Sequence, residues 1–192
     1  MIGHEMIGKT SIINMYFDGI FLQDLSRTFG IDFRSKHVNL DKNIEVIIRV
    51  WDTAGQERYD AISKNYYNKG DCIFLCFSIY DRKSFERLDY YMNNIQQYSH
   101  SDCIVVLVGT FGDKDNERVI NKEEIKEFSF ENNLEYFEVS SKTGIGIKEL
   151  FNRTIQLIYN KRKETHDMRK HVYNKILESN EFNSKNSGSC CN

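Results

Sequence analysis

The sequence predicts an α/β domain on a mainly parallel sheet, with one antiparallel edge strand and helices on both faces. Three observations carry that expectation. Cys72 to Tyr80 and Ile104 to Gly109 are nearly continuous apolar runs, as expected of strands buried on both faces. Helical patterns separate such runs: Phe85, Leu88, Met92 and Ile95 recur at helical spacing within Ser84 to Tyr98. Val38 to Leu40, Asp41-Lys42-Asn43 and the run from Ile44 read instead as a hairpin, which supplies the antiparallel edge.

In chain order, Ser11 to Tyr16 is helical and Ile44 to Trp51 is a strand, followed by a polar turn and the segment Arg58 to Tyr67. The strand Cys72 to Tyr80, the helix Ser84 to Tyr98 and the strand Ile104 to Gly109 come next. Lys122 to Asn132 is helical, Leu134 to Val139 is a strand, and Ile147 to Tyr159 is an amphipathic helix. After about Lys163 the pattern decays, and Ser179 to Asn192 has the polar composition of a flexible tail. The expected organisation is one domain over 1–163 and a tail over 164–192.

With 40% apolar and 13% aromatic residues, the chain can bury a real core. A net charge of −2 gives no global attraction to nucleic acid or acidic lipid. No apolar run approaches a membrane span. Met1 leads almost directly into a functional motif rather than into a signal peptide. Cys72, Cys76 and Cys103 lie in apolar stretches and read as buried cytosolic thiols, while Cys190 and Cys191 stand apart at the C-terminus.

Gly3-His4-Glu5-Met6-Ile7-Gly8-Lys9-Thr10 matches G-x-x-x-x-G-K-[ST], a phosphate-binding loop ahead of a helix. Its backbone N–H groups and the helix N-terminus suit phosphate charge. Lys9 is expected to reach the β and γ phosphates, and Thr10 to place its hydroxyl on magnesium. Trp51-Asp52-Thr53-Ala54-Gly55-Gln56-Glu57-Arg58 follows directly on the strand Ile44 to Trp51. An acidic residue at a strand end is where a magnesium-water ligand belongs, and the glycine beside it can offer an N–H to the γ-phosphate.

With these motifs the chain resembles the Ras-superfamily small GTPases, and the Rab branch most closely, from Gly3 to about Tyr159. The resemblance implies the small-GTPase fold, GTP and GDP as ligands, and Mg2+. Thr28 stands 19 residues after Lys9, as the family's switch I threonine does, and would coordinate magnesium and the γ-phosphate. Asp52 would hold magnesium through water, Gly55 would contact the γ-phosphate, and Gln56 would orient the attacking water. Glu5, Met6, Ile7 and Ser11 join Gly3, Gly8, Lys9 and Thr10 around the phosphates, and Phe21 matches the aromatic that covers one face of guanine. Gly30-Ile31-Asp32-Phe33 resembles the Rab switch I signature. On pattern alone Phe33, Trp51 and Tyr66 read as core aromatics. The resemblance makes them, with Ile31, an exposed surface for effectors.

The family's N-K-x-D pattern is altered to Thr110-Phe111-Gly112-Asp113. Asp113 keeps the carboxylate that pairs with the guanine N1 and 2-amino donors. Thr110 can do part of an asparagine's work, and Phe111 replaces a lysine and could stack on the ring. Ser140-Ser141-Lys142 resembles the family's S-A-K loop, whose backbone N–H meets the guanine O6.

Glu5 and Met6 replace residues that are small in most of the family. A carboxylate within ~4 Å of a phosphate repels it by roughly 4 kcal/mol at an effective dielectric of 20. A displacement near 1 Å at Gln56 lowers the rate by about 100-fold. Met6 stands where glycine relieves backbone strain. The expectation is slow hydrolysis and reduced nucleotide affinity. Only Met1 and Ile2 stand before Gly3, so the family's first central strand is largely missing, and the sequence as given is expected to lack its start.

The ending Ser189-Cys190-Cys191-Asn192 is not a C-a-a-X box but resembles the doubly geranylgeranylated Rab C-C-X ending. The resemblance therefore also implies prenylation machinery, a GDP-dissociation inhibitor, an exchange factor, a GTPase-activating protein and effectors as partners. It implies a lipid-anchored place on the cytoplasmic face of endomembranes, with no readable organelle address. Two functional readings stand: a switch that hydrolyses GTP in vesicle traffic, and a nucleotide-locked or nucleotide-poor membrane-tethered scaffold.

Overall fold

The computed structural model describes residues 1–23, 25–26, 28, 30–42, 44–53 and 67–165. Its strands are β1 (Ile2–Gly3), β2 (Ile31–Asp41), β3 (Ile44–Thr53), β4 (Cys72–Ser78), β5 (Ile104–Thr110) and β6 (Glu135–Glu138). The helices are α1 (Lys9–Asp18), α2 (Arg82–Glu86), α3 (Leu88–Tyr98), α4 (Lys122–Glu131) and α5 over 147–165. A 3-10 turn covers Gly112–Glu117. One compact unit spans Met1–Ile155; α5 carries the chain into a second, which begins at Gln156.

Four strands pair in parallel in the order β1-β4-β5-β6, and β2 pairs antiparallel with β3. This is the expected α/β class, with a mainly parallel sheet and one antiparallel pair. The alternation of β4 explains why helices cover both faces. Ile73, Leu75 and Phe77 enter one core with Leu88, Met92 and Ile95 of α3 and Ile125 of α4. Phe74 and Cys76 enter the other with Ile12 of α1 and Ile147, Leu150 and Phe151 of α5. Side chains such as Leu75, Phe77 and Leu107, with no exposed surface, each contribute about 1.5–3 kcal/mol of burial. Val38, Leu40, Val46, Ile48 and Val50 turn the inner side of the hairpin to the second core.

Three details differ from the sequence expectation. The first hairpin arm is not Val38 to Leu40 alone but runs from Ile31 and pairs with β3 as far as Thr53, with alternation keeping one side half-buried from Arg34 to Leu40. The helix expected over Ser84 to Tyr98 is two helices meeting at Arg87. The Asp81 side chain accepts from Lys83 N, and the buried Ser84 hydroxyl accepts from Ser78 N at 2.9 Å, so the first turn is pinned to the end of β4. The last helix extends past Tyr159 to 165.

The first strand is two residues long, with Ile2 opposite Leu75 and Gly3 opposite Cys76. On its other side the Met1 nitrogen donates to the Trp51 carbonyl at 2.8 Å, and the Met1 carbonyl accepts from Thr53 Oγ1 at 2.7 Å. These bonds set the end of β3, and with it Asp52, beside the loop that follows β1. Cys76 is buried and Cys72 and Cys103 are half-buried, all three as free thiols. Cys72 and Cys103 pack on opposite cores.

Candidate nucleotide site

The loop between β1 and α1 is shaped by its glycines. Gly3 has φ 146°, and a Cβ there would stand 2.2 Å from the Cys76 carbonyl oxygen, so no side chain fits. Gly8 has φ 84° and ends the loop at the first residue before α1. Met6 has φ 59°, a left-handed conformation that costs a non-glycine residue about 1–2 kcal/mol, and its side chain is 70% exposed. Ile7 is buried in the second core and anchors the loop between them.

Lys9 is buried at the start of α1, and its ammonium donates to the carbonyls of Gly3 at 2.8 Å and His4 at 2.6 Å. Burial pushes its pKa down to about 8, against the pull of nearby acidic groups including Asp52 and Glu5. The cation is thus enclosed by the loop that precedes it. Thr10, one residue on, gives its hydroxyl to Asp52 Oδ2 at 2.7 Å and meets the Thr28 hydroxyl at 2.8 Å. Helix α1, strand β3 and the segment before β2 therefore bring three oxygen-bearing side chains to one point.

Asp52 is 6% exposed, and burial raises its pKa although the Thr10 hydrogen bond opposes that. Its Oδ1 is buried with no hydrogen-bond partner. A buried, unpartnered carboxylate oxygen beside two hydroxyls is a set of hard donors that fits a magnesium ion with its waters. The expected trio of Thr10, Thr28 and Asp52 is thus brought together.

The altered base motif follows the end of β5, close to the start of α1. Thr110 is 2% exposed and donates its hydroxyl to the Phe77 carbonyl at 3.0 Å. That hydroxyl is spent on the sheet, so the share of asparagine-like work expected of Thr110 has no donor there. Phe111 has φ 63°, and a Cβ on Gly8 would lie 3.5 Å from the ring, so the base loop touches the phosphate loop. Its ring meets Tyr80 edge-on with centroids 4.8 Å apart, and the Lys114 ammonium lies over the Tyr80 ring, 4.5 Å from its centroid. Asp113 Oδ1 accepts from the Ser140 hydroxyl at 2.6 Å, which joins the two base loops. Ser140 Oγ also accepts from Thr143 N at 3.1 Å, and Ser141 and Lys142 lie in the turn so closed.

Phe21 is 38% exposed just beyond the end of α1, and Ser11 is half-buried in its first turn. Phe33 and Trp51 pair across β2 and β3 with ring centroids 5.0 Å apart, and Phe33 is 53% exposed. That pair therefore faces outward rather than into the core, with Ile31 half-buried beside it. Gly55, Gln56, Tyr66, Cys190 and Cys191 lie outside the described residues. Sequence reasoning missed Arg118, Tyr136 and Glu138, which sit beneath the base loops. The adjacency of Glu138 to Val139-Ser140 was the only available signal.

A phosphate loop on a parallel sheet, an oxygen cluster at its lysine and threonine, and a carboxylate-bearing base loop define a nucleotide-binding P-loop domain. The model of the Ras family matches residues 1–160. The human Ras-related protein Rab-15 is 31% identical over 177 residues, covering 92% of this chain and 83% of that protein. Rab-2B from Dictyostelium discoideum is 33% identical, covering 84% of this chain and 79% of its own length. Rab-3 from Caenorhabditis elegans is 36% identical, covering 87% and 76%. The chain belongs to the Ras family, and within it to the Rab small GTPases. It is a Rab-like GTP-binding protein, and GTP hydrolysis with magnesium is that family's general chemistry.

Proposed function

We propose that this protein is a switch of vesicle traffic that alternates between GTP and GDP states and hydrolyses GTP slowly. The observation that carries the reading is the meeting of Thr10, Thr28 and Asp52 oxygens within 2.8 Å beside the buried Lys9. Those three residues would hold magnesium, which neutralises phosphate charge when bound. Thr28 belongs to the segment leading into β2, so its engagement couples the nucleotide state to the exposed Phe33–Trp51 surface. Ile31, Phe33, Trp51 and Tyr66 are the proposed effector surface, and Gln56 the proposed water-orienting residue. Asp113, Ser140, Ser141 and Lys142 read guanine, with Phe21 and Phe111 against the ring.

Slow hydrolysis rests on Glu5 and Met6. Met6 holds the loop in a left-handed turn with its side chain outward, and Glu5 precedes it directly. A carboxylate there competes with the γ-phosphate charge. The domain over 1–163 is proposed to be tethered by lipid on Cys190 and Cys191 to the cytoplasmic face of endomembranes. Among the described residues no helix is long and apolar enough to cross a membrane. Exchange factor, GTPase-activating protein, GDP-dissociation inhibitor and prenylation machinery are the proposed partners.

The test is nucleotide content and single-turnover hydrolysis of the full chain, alone and with Glu5→Ser plus Met6→Gly. Stoichiometric guanine nucleotide is expected, with hydrolysis at least about tenfold faster in the double variant. Protein purified with no nucleotide, and binding none on addition, overturns the switch in favour of a scaffold. An unchanged rate in the double variant overturns the slow-hydrolysis part alone.

A further inference from the structure

Beneath the two base loops lies a second set of side chains. Arg118 follows the 3-10 turn that carries Asp113, and its side chain is 11% exposed. Its Nε donates to Asp115 Oδ1 at 2.6 Å, and its Nη2 donates to Glu138 Oε1 at 2.7 Å. Glu138 Oε2 accepts from the Tyr136 hydroxyl at 2.7 Å. One cation thus bridges the turn after β5 to the last residue of β6.

The backbone is closed down on this bridge. A Cβ on Gly109 would stand 2.4 Å from the Tyr136 hydroxyl oxygen, and one on Gly112 would stand 3.2 Å from Glu138 Cγ. Val139, next to Glu138, donates to the Gly109 carbonyl at 2.8 Å and accepts from Gly112 N at 3.0 Å. The next residue, Ser140, holds Asp113. The path from Arg118 to the base-reading carboxylate is therefore short and runs through hydrogen-bonded groups, although Arg118 Nη1 is itself buried without a partner.

We propose that the Arg118–Glu138–Tyr136 bridge is a positioning element for base recognition, setting the separation between Asp113 and the Ser140–Lys142 turn that selects guanine by its 2-amino group. This rests on the guanine-nucleotide reading above. The planar guanidinium can engage two carboxylates in fixed directions, whereas a lysine offers a point charge without that fork. Thr110 supplies no donor to the base, so selectivity depends on the carboxylate edge and on whatever holds it in place.

The experiment compares dissociation of GDP with that of inosine diphosphate, which lacks the 2-amino group, from the full chain and from Glu138→Ala, Arg118→Lys and Tyr136→Phe. Thermal melting of each GDP-bound protein is followed alongside. Wild type is expected to hold GDP longer than the inosine nucleotide. Glu138→Ala is expected to shrink that ratio by about fivefold, the share of one hydrogen bond, with Arg118→Lys intermediate and Tyr136→Phe smallest. A lower melting temperature with both dissociation rates raised equally, and the ratio intact, overturns the proposal. If Glu138→Ala does not fold, the ratio in Arg118→Lys decides in the same way. A wild type that binds neither nucleotide overturns the guanine reading itself, and is distinguishable because it needs no variant.

Discussion

Beside Lys9 a carboxylate oxygen of Asp52 is buried without a partner; around Asp113 the carboxylate, the Thr110 hydroxyl and two of the Arg118 nitrogens have theirs, while Arg118 Nη1 is buried and unbonded. At the phosphate end, Asp52 Oδ1 is buried and unpaired, and burial lowers the pKa of the Lys9 ammonium, which donates to two loop carbonyls. Those are costs that an incoming polyanion and cation relieve. At the base end, Asp113 is bonded to Ser140, Thr110 to Phe77, and Arg118 to two carboxylates. The Asp113 carboxylate there is already held by Ser140, so a base has to match an edge that is in place. The difference teaches where binding energy and where selectivity reside. On the proposed reading, the first end would supply affinity through relief of buried charge, and the second discrimination through a held carboxylate.

The separation can be broken first at Asp52. Asp52→Asn keeps the shape at the end of β3 and removes the charge beside Thr10. Magnesium dependence of GDP affinity is expected to weaken by about 10–100-fold, as when an outer partner of a metal site is lost. The preference for GDP over the inosine nucleotide is expected to remain. Asp113→Asn should do the reverse, lowering base preference while leaving magnesium dependence intact. Titrating magnesium at fixed nucleotide for both variants checks this. If either variant changes both properties together, the two ends are one unit and the comparison fails.

A finer probe changes the ligand instead of the protein. Since the Thr110 hydroxyl donates into the sheet, it has no hydrogen to give to guanine N7. Replacing N7 by C–H in 7-deaza-GDP is expected to cost less than about fivefold in affinity, below the ~1 kcal/mol of one hydrogen bond. Losing the 2-amino group should cost more, because its proposed partner is the charged Asp113. Competition binding of the two analogues against GDP gives the order directly. A larger loss for 7-deaza-GDP would mean that another donor reads N7.

Sequence alone named Lys9, Thr10, Thr28 and Asp52, which the structure brings together, and reached the base end only in outline; Gly55 and Gln56 lie outside the described residues. Gly3, Gly8, Lys9 and Thr10 are contiguous, so their spacing is itself the geometry, and Thr28 and Asp52 sit at fixed motif offsets. Buried strands were equally legible, because β4 and β5 are apolar on both faces. The split of the helix at Arg87 was hidden, since it depends on the Ser84 hydroxyl reaching back to Ser78. The direction of the Thr110 hydroxyl was hidden too, because its partner Phe77 lies on a neighbouring strand. Arg118 and Glu138 are 20 residues apart on unlike elements, and no local pattern relates them. Contacts of that range are set by sheet order, which a single sequence does not display.

The smallest expected effect concerns acid. The Arg118 hydrogen bond holds the Asp115 carboxyl below its ordinary value of 3.8. A depressed folded pKa means stability that is present above the unfolded value and lost as pH falls through the folded one. Asp115 is 62% exposed, so solvent screening keeps the contribution small. The urea midpoint of wild type should therefore fall more steeply below about pH 4 than that of Asp115→Asn, with the two running parallel above it. The comparison of the two ends gains from this, because loss of the Asp115 arm leaves Arg118 bonded to Glu138 alone. If the bridge to β6 is what positions Asp113, Asp115→Asn should leave the GDP-to-inosine ratio nearly unchanged while Glu138→Ala does not. Equal effects of both variants on that ratio would place the positioning role in the turn itself rather than in its tie to β6.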